Sequence, residues 1–376
     1  MLNDSQRKLI ADAEKILIIQ AENPDGDSVG SALALEEIFG EMQIGEKNSD
    51  NENSAKKQIA LHCPVQIPTY LRHIDGWDRI VTDFPTDADL AIIVDTSSKI
   101  LLSKTLANPA AKNWLTNNPV IVLDHHVSVT PDLPFDAQYI ISDTAVATGE
   151  LIFDLAKEEN WKINPQAATN LFISIQADSL GLTTNATTAE SFSACGELVK
   201  FGANPAKIEE KRRELMKKKP EILRYKGELI ERIEYLNNGR SALIHVPFDE
   251  IQKYSNDYNP TMLVLDEMRL VVGVDIAIGV KTYPDGKLTG KLRTNIPVSH
   301  LVAKHFGGDG HPFAAGFRIY ENYSDFIFEL ENCLNKVLAD FDAENPTEKI
   351  NSSSENSGNY ANKSDKNLGN FRVKKD

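Results

Sequence analysis

Four short apolar runs, at 16–19, 58–61, 90–94 and 120–123, alternate with stretches whose apolar residues recur at helical spacing. Parallel strands need a crossover between them, so this alternation predicts βαβ units and a mostly parallel sheet. The expected helices cover about 29–40, 66–73, 104–116, 146–158 and 166–177. Three of the four runs lead into aspartates: Asp25 and Asp27 after the first, Asp95 after the third, Asp124 after the fourth. Open α/β sheets bind their ligands outside the carboxyl ends of the strands, so these acids are expected to converge there.

An aspartate after a strand is most often a turn or helix cap. Several at neighbouring strand ends, joined by the tandem His125-His126, point instead to a metal centre. In Asp25-Gly26-Asp27, one-residue spacing lets two carboxylates reach two neighbouring ions. A calcium loop is excluded, because Val29 stands at its fifth position and the preceding element reads as a strand. Consecutive histidines diverge, so one of His125 and His126 can ligate metal while its neighbour faces the substrate phosphate. Asp178 closes the helix expected at 166–177, where a negative charge opposes the helix dipole and is better explained by a cation. Mixed Asp and His ligation suits manganese, iron or zinc, and the oxygen-rich balance leans toward manganese. Two such ions about 3.5–4 Å apart activate water and neutralise phosphoryl oxygens, so the implied reaction is hydrolysis of a phosphate ester.

The segment 45–57, rich in Asn, Asp, Ser, Glu and Lys, is expected to be a mobile surface loop. Asn204-Pro205 opens a basic helical stretch carrying Lys207, Lys211, Arg212, Arg213 and Lys217–Lys219, interrupted by Pro220 and read as an interdomain connector. Beyond it, strands are expected at 241–246, 261–265, 270–278 and 288–293, with a hairpin turn at Tyr283-Pro284-Asp285-Gly286 and helices at 299–305 and 324–338. The fold class is therefore α/β, an N-terminal parallel-sheet domain (1–200), a helical connector (201–236), a smaller C-terminal α+β domain (237–342) and a disordered tail (343–376).

A formal charge of −15 and a pI near 5.1 argue against a protein that coats long nucleic acid. Cys63, Cys195 and Cys333 are far apart and form no C-x-x-C pair, so a reducing, cytoplasmic setting is expected. No apolar run is long enough to span a bilayer, and no membrane partner is expected.

The acidic set and the segment Gly308-Asp309-Gly310-His311-Pro312-Phe313-Ala314-Ala315-Gly316 together resemble the DHH phosphoesterases of the RecJ and nanoRNase group, over roughly residues 10–340. The resemblance implies a DHH domain followed by a DHHA1 domain, and two divalent metal ions, manganese first. It implies Asp25 on one ion, Asp27, His125 and Asp178 on the other, and Asp95 bridging. Asp124 would support the site and His126 would face the scissile phosphate, making Asp95, Asp124 and His126 the catalytic group. Arg293, Gly308, Gly310 and His311 would bind substrate. Where the family has a metal-binding His, this chain has Ala21, so one ion is expected to lose a protein ligand, with water as the simpler substitute. Asp309 replaces a family glycine. The implied activity is hydrolysis of short oligoribonucleotides to mononucleotides, or of 3′-phosphoadenosine 5′-phosphate to AMP, by a homodimer. Cyclic or linear dinucleotide hydrolysis is one alternative. A catalytically impaired nucleotide-binding regulator, motivated by Ala21 and Asp309, is another.

Overall fold

The computed structural model describes residues 2–43, 56–126, 130–255 and 258–345, with the backbone alone at Asp309 and His311. The chain forms two compact units, Met1–Lys217 and Lys218–Asp376. The stretch expected as a connector divides between them, since the helix Pro205–Leu215 belongs to the first and the helix Pro220–Glu231 to the second.

Elements of the first unit run α1 (Asp4–Asp12), β1 (Lys15–Ile19), α2 (Gly26–Gly40), β2 (Gln58–His62), β3 (Ile80–Val81), β4 (Leu90–Val94), α3 (Ser103–Ala107), α4 (Pro109–Asn117), β5 (Val120–Asp124), β6 (Gln138–Ile141), α5 (Thr148–Glu158), α6 (Pro165–Asp178), α7 (Ala189–Lys200) and α8 (Pro205–Leu215). The six strands pair parallel in the order β3-β2-β1-β4-β5-β6. Chain direction through the sheet reverses between β1 and β4, which opens a crevice at their carboxyl ends. Alternate strand residues feed two cores. Ile16, Ile18, Ile92, Val94 and Ile121 pack under α2, α5 and α6, while Leu17, Ile19, Ile93 and Val122 pack with Leu102, Trp114 and Leu115. Burial on both faces is why these strands read as unbroken apolar runs.

Helix α2 begins three residues before its expected start, because Asp25 caps it and forms a capping box with Ser28. The single helix expected at 104–116 is two, α3 and α4, since Asn108 caps a new helix whose first residue is Pro109. At 66–73 only a 3₁₀ turn, Thr69–Leu71, forms. The loop expected at 45–57 falls mostly outside the described residues, but Lys57 is not a surface residue. It is 6% exposed, and its ammonium donates to the carbonyls of Ala11 and Ala13.

The second unit contains α9 (Pro220–Glu231), β7 (Glu234–Leu236), β8 (Ser241–Val246), α10 (Phe248–Tyr254), α11 (Leu265–Met268), β9 (Ile276–Thr282), β10 (Lys287–Thr294), α12 (Ser299–His305), β11 (Asp309–His311), β12 (Ala314–Tyr320) and α13 (Tyr323–Glu344). Its sheet runs β11-β12-β10-β9-β8-β7, with β8 and β9 parallel and the remaining pairs antiparallel. The strand expected at 261–265 is helical, a 3₁₀ turn at Pro260–Leu263 followed by α11, because Pro260 stands at a first helical position. The one expected at 270–278 forms only from Ile276, after a bend at Gly273 with φ +86°. α12 and α13 cover one sheet face. On the other, α9, α10 and α11 pack over β8 and β9, and that core includes no residue of β10 or β12. The expected tail lies outside the described residues from 346 on. Among the described residues no helix is long and apolar enough to cross a membrane.

Candidate metal centre

The crevice between β1 and β4 is lined by charge. Asp27, in the first turn of α2, is fully buried. One of its oxygens accepts from Ser31 Oγ (3.0 Å), Ser174 Oγ and the Gly149 amide (3.2 Å), and the other from the Thr148 amide (2.8 Å). Ala147, before α5, caps nothing with its side chain, so the orphan amides of that helix are satisfied by Asp27 across the crevice. The approach requires small residues. A Cβ on Gly149 would lie 1.9 Å from Ser174 Oγ, and one on Gly26 would lie 2.5 Å from Ala177 Cβ.

Asp95 follows β4 in a left-handed conformation, φ +63°, which aspartate tolerates better than most side chains. Its carboxylate accepts from Thr148 Oγ1 at 3.2 Å. His125 Nε2 lies 3.1 Å from Asp178, 3.5 Å from Asp27 and 3.6 Å from Asp95. This nitrogen is buried and aligned for a hydrogen bond with none of them. Two ligand groups result among the described residues, Asp27–His125–Asp178 and Asp95–His125–His126. A buried imidazole nitrogen facing carboxylate oxygens fits a divalent cation, which would satisfy the members of one such group together.

The electrostatics agree. Burial, then repulsion from Asp27, Asp25 and Asp178, pushes Asp95 well above the ordinary carboxylate range. Burial followed by Asp178 raises Asp27. Asp25 is open to solvent on one side, yet the protein packed around its other side also raises it. On His125, burial is outweighed by Asp178 and Asp27, and the net direction is up. Asp124 behaves differently. Against the push of burial, His126 Nδ1 at 2.8 Å holds it below its usual range, and the same bond raises His126. Both backbone amides of the His pair also donate to Asp124.

Ala21 is buried at 4% exposure. Glu22 is committed to Ser103 Oγ and the Lys104 backbone amide, and the fully buried side-chain amide of Gln20 has no hydrogen-bond partner among the described residues. Neither side chain hydrogen-bonds to a candidate ligand in place of the expected His.

Sequence reasoning missed Thr148, Ser174 and Ser31, which hold Asp27 and Asp95. Ordinary helix residues give no pattern to find them by. In the second unit it named Arg293, Gly308, Gly310 and His311. Strand register sets Arg293 opposite Ala314, and Ala314 opposite His311. Gly308 and Gly310 have a packing reason first, since a Cβ on either would strike β12 within 2.2–2.5 Å. Asp309 lies in β11 opposite Gly316. The uncovered sheet face also carries Lys281, Lys291 and Arg318, around a cavity of about 590 Å³ that Gly308 lines and Arg293 does not. Lys281 and Lys291 are lowered by burial and by their cationic neighbours. Their signal was present, as cations at positions alternating with buried β9 and β10 residues.

Residues 15–175 match the model of the DHH family, N-terminal domain. The first unit carries a DHH domain. Over 325 residues the chain is 26% identical to a probable bifunctional oligoribonuclease and PAP phosphatase of Streptococcus mutans, covering 85% of this chain and 95% of that protein. It is 23% identical over 310 residues to the bifunctional oligoribonuclease and PAP phosphatase of Bacillus subtilis, covering 82% and 90%. The fold is shared with an exopolyphosphatase-related protein from Bacteroides fragilis, with a TM-score of 0.73 at 22% identity, covering 89% of this chain and 95% of that one. All the proposed metal ligands except Asp178 fall within the matched DHH segment, and Asp178 follows it by three residues.

Proposed function

We propose that this chain is a cytoplasmic, metal-dependent phosphoesterase that trims short oligoribonucleotides to mononucleotides and converts 3′-phosphoadenosine 5′-phosphate to AMP. The observation that carries the reading is the convergence of Asp27, Asp95 and Asp178 on a buried His125 nitrogen with no hydrogen bond. The names of the relatives supply the substrate classes. Asp27, His125 and Asp178 would hold one cation, Asp25 a second, and Asp95 would serve both. The oxygen-rich set with one imidazole favours manganese. Bound cations supply charge neutralisation and water activation for attack at phosphorus.

Both substrates present the same bond, the P–O3′ bond of a 5′-phosphorylated nucleoside. His126 is half-exposed, its Nδ1 is taken by Asp124, and its raised pKa favours the imidazolium. Nε2 is then free to donate to a phosphoryl oxygen or to protonate the departing 3′-oxygen. Asp124 fixes the ring and stabilises its charge. The cations of the second unit, Lys281, Lys291, Arg293 and Arg318, with Gly308, Gly310 and His311, are our candidates for binding the substrate's phosphate in an otherwise acidic chain.

The test is AMP release from a 5′-phosphorylated RNA dinucleotide and from 3′-phosphoadenosine 5′-phosphate, with and without manganese, for the wild type and Asp95→Ala. Manganese-dependent release lost in the variant is expected. No release from either substrate at any manganese concentration refutes the reading.

A further inference from the structure

A second cavity, of about 880 Å³, lies wholly within the first unit and shares two walls with the metal centre, Asp25 and Asp178. The rest of its lining has a different character. Tyr70, Leu180 and Met216 stand on its rim with 58%, 73% and 42% exposure. Tyr70 is tethered there, its hydroxyl donating to the Pro24 carbonyl at 3.3 Å, one residue before Asp25. Leu180, two residues after Asp178, is held in a left-handed conformation, φ +49°. A leucine in that conformation costs about 1–2 kcal/mol that glycine or asparagine would largely avoid, and here it gains no burial in return. An aromatic ring and two large apolar side chains, left open beside two proposed metal ligands, form an apolar surface suited to a ligand.

Charge narrows the choice. The cavity's acids are Asp25, Asp178 and Glu209, against one cation, Arg212, which is already bound bidentate by Glu209 at 2.7 and 2.9 Å. With Asp25 and Asp178 committed to cations and Glu209 paired with Arg212, the rest of the lining offers a second phosphate no unpaired cation. A planar, uncharged group with apolar faces and hydrogen-bonding edges is accommodated, with Tyr70 for stacking and Gln176 and His73 as polar lining. His73 Nδ1 is occupied by the Tyr70 carbonyl, which leaves Nε2 for an edge.

Resting on the phosphoesterase reading above, we propose that this cavity binds the nucleoside joined through its 5′-oxygen to the scissile phosphate of an oligoribonucleotide, the part that does not depart at the P–O3′ cleavage. Hydrolysis of a dinucleotide then fills the cavity. Hydrolysis of 3′-phosphoadenosine 5′-phosphate leaves it empty, because the phosphoryl group removed there carries no further substituent. The cavity therefore determines specificity between the two substrate classes.

Leu180→Asn with Met216→Gln tests the assignment. Both residues are exposed, and asparagine accepts the left-handed backbone, so the fold is retained. With manganese present, KM for the 5′-phosphorylated dinucleotide should rise about tenfold or more, while kcat/KM for 3′-phosphoadenosine 5′-phosphate changes less than twofold. Equal losses on both substrates, or no loss on the dinucleotide, overturn the proposal. So does a wild type that hydrolyses only 3′-phosphoadenosine 5′-phosphate, which leaves the phosphoesterase reading standing. Independently of turnover, adenosine should give a saturation-transfer NMR signal with chelator-treated wild type that the double variant loses. Absence of that signal in the wild type, or its persistence in the variant, also overturns the assignment.

Discussion

Removing the Ser174 hydroxyl should loosen the metal centre without touching a ligand. Ser174 Oγ donates to Asp27, whose carboxylate is fully buried and whose remaining donors are Ser31 Oγ and the amides of Thr148 and Gly149. A hydrogen bond to a charged group contributes about 1.5–3 kcal/mol, and with three donors left the lower end applies, about 1.5 kcal/mol in stability. The effect on metal is separate. A partner that orients a ligand typically accounts for about 10–100-fold in metal affinity. Ser191→Ala is the comparison, because Ser191 Oγ donates at 3.0 Å to Glu150, a buried carboxylate that belongs to neither ligand group. Manganese titration by calorimetry and thermal unfolding in chelator should show both variants destabilised, but only Ser174→Ala weakened in manganese binding. Manganese affinity within twofold of wild type in Ser174→Ala, or an equal loss in Ser191→Ala, would refute the idea that the hydroxyl positions Asp27.

Asp95→Asn should stabilise the metal-free protein at neutral pH. The folded pKa of Asp95 is raised well above its unfolded value, so its contribution is fully present below the unfolded pKa, near 3.9, and is lost as pH rises through the folded one. Unfolding in chelator should thus favour the variant at pH 7–8, with the gap closing toward pH 4; a gap independent of pH counts against the buried-charge account. Lys281→Ala with Lys291→Ala should raise KM about tenfold for a 5′-phosphorylated dinucleotide and leave the unphosphorylated dinucleoside monophosphate unchanged, since only the former presents a terminal phosphate. Equal effects on both would remove the basic face from substrate binding. Ala21→His should tighten the weaker step of a two-step manganese titration, and an unchanged isotherm would show that the missing ligand does not limit affinity.

Much of the fold was legible because burial on both faces of a parallel sheet leaves continuous apolar runs, and β1, β2, β4 and β5 all fell on them. Two-residue β3 and edge strand β6 were too short or too partly buried to leave that mark. In the second unit the run around 261–268 is buried whether helical or extended, and periodicity alone does not separate the two. The convergence of Asp27, Asp95, His125 and Asp178 was legible, because a carboxylate at a strand end is visible in one dimension. Thr148 and Ser174 were not, since their role exists only where α5 and α6 meet α2 over Gly149 and Gly26.

The same geometry bears on the absence of a histidine at position 21. Three raised carboxylates, Asp25, Asp27 and Asp95, face one another beside His125, and like charges so placed destabilise the fold unless cations enter. Asp27 is compensated by four donors, Asp95 by one hydroxyl, and Asp25 by its own helix cap. The Asp27–His125–Asp178 group is therefore the part the protein builds most rigidly, and Asp25, exposed on one side and without a histidine at position 21, the part it builds least. Under the proposed reading, two cations would be held unequally because of that difference in preorganisation, the one at Asp27, His125 and Asp178 more tightly than the one at Asp25.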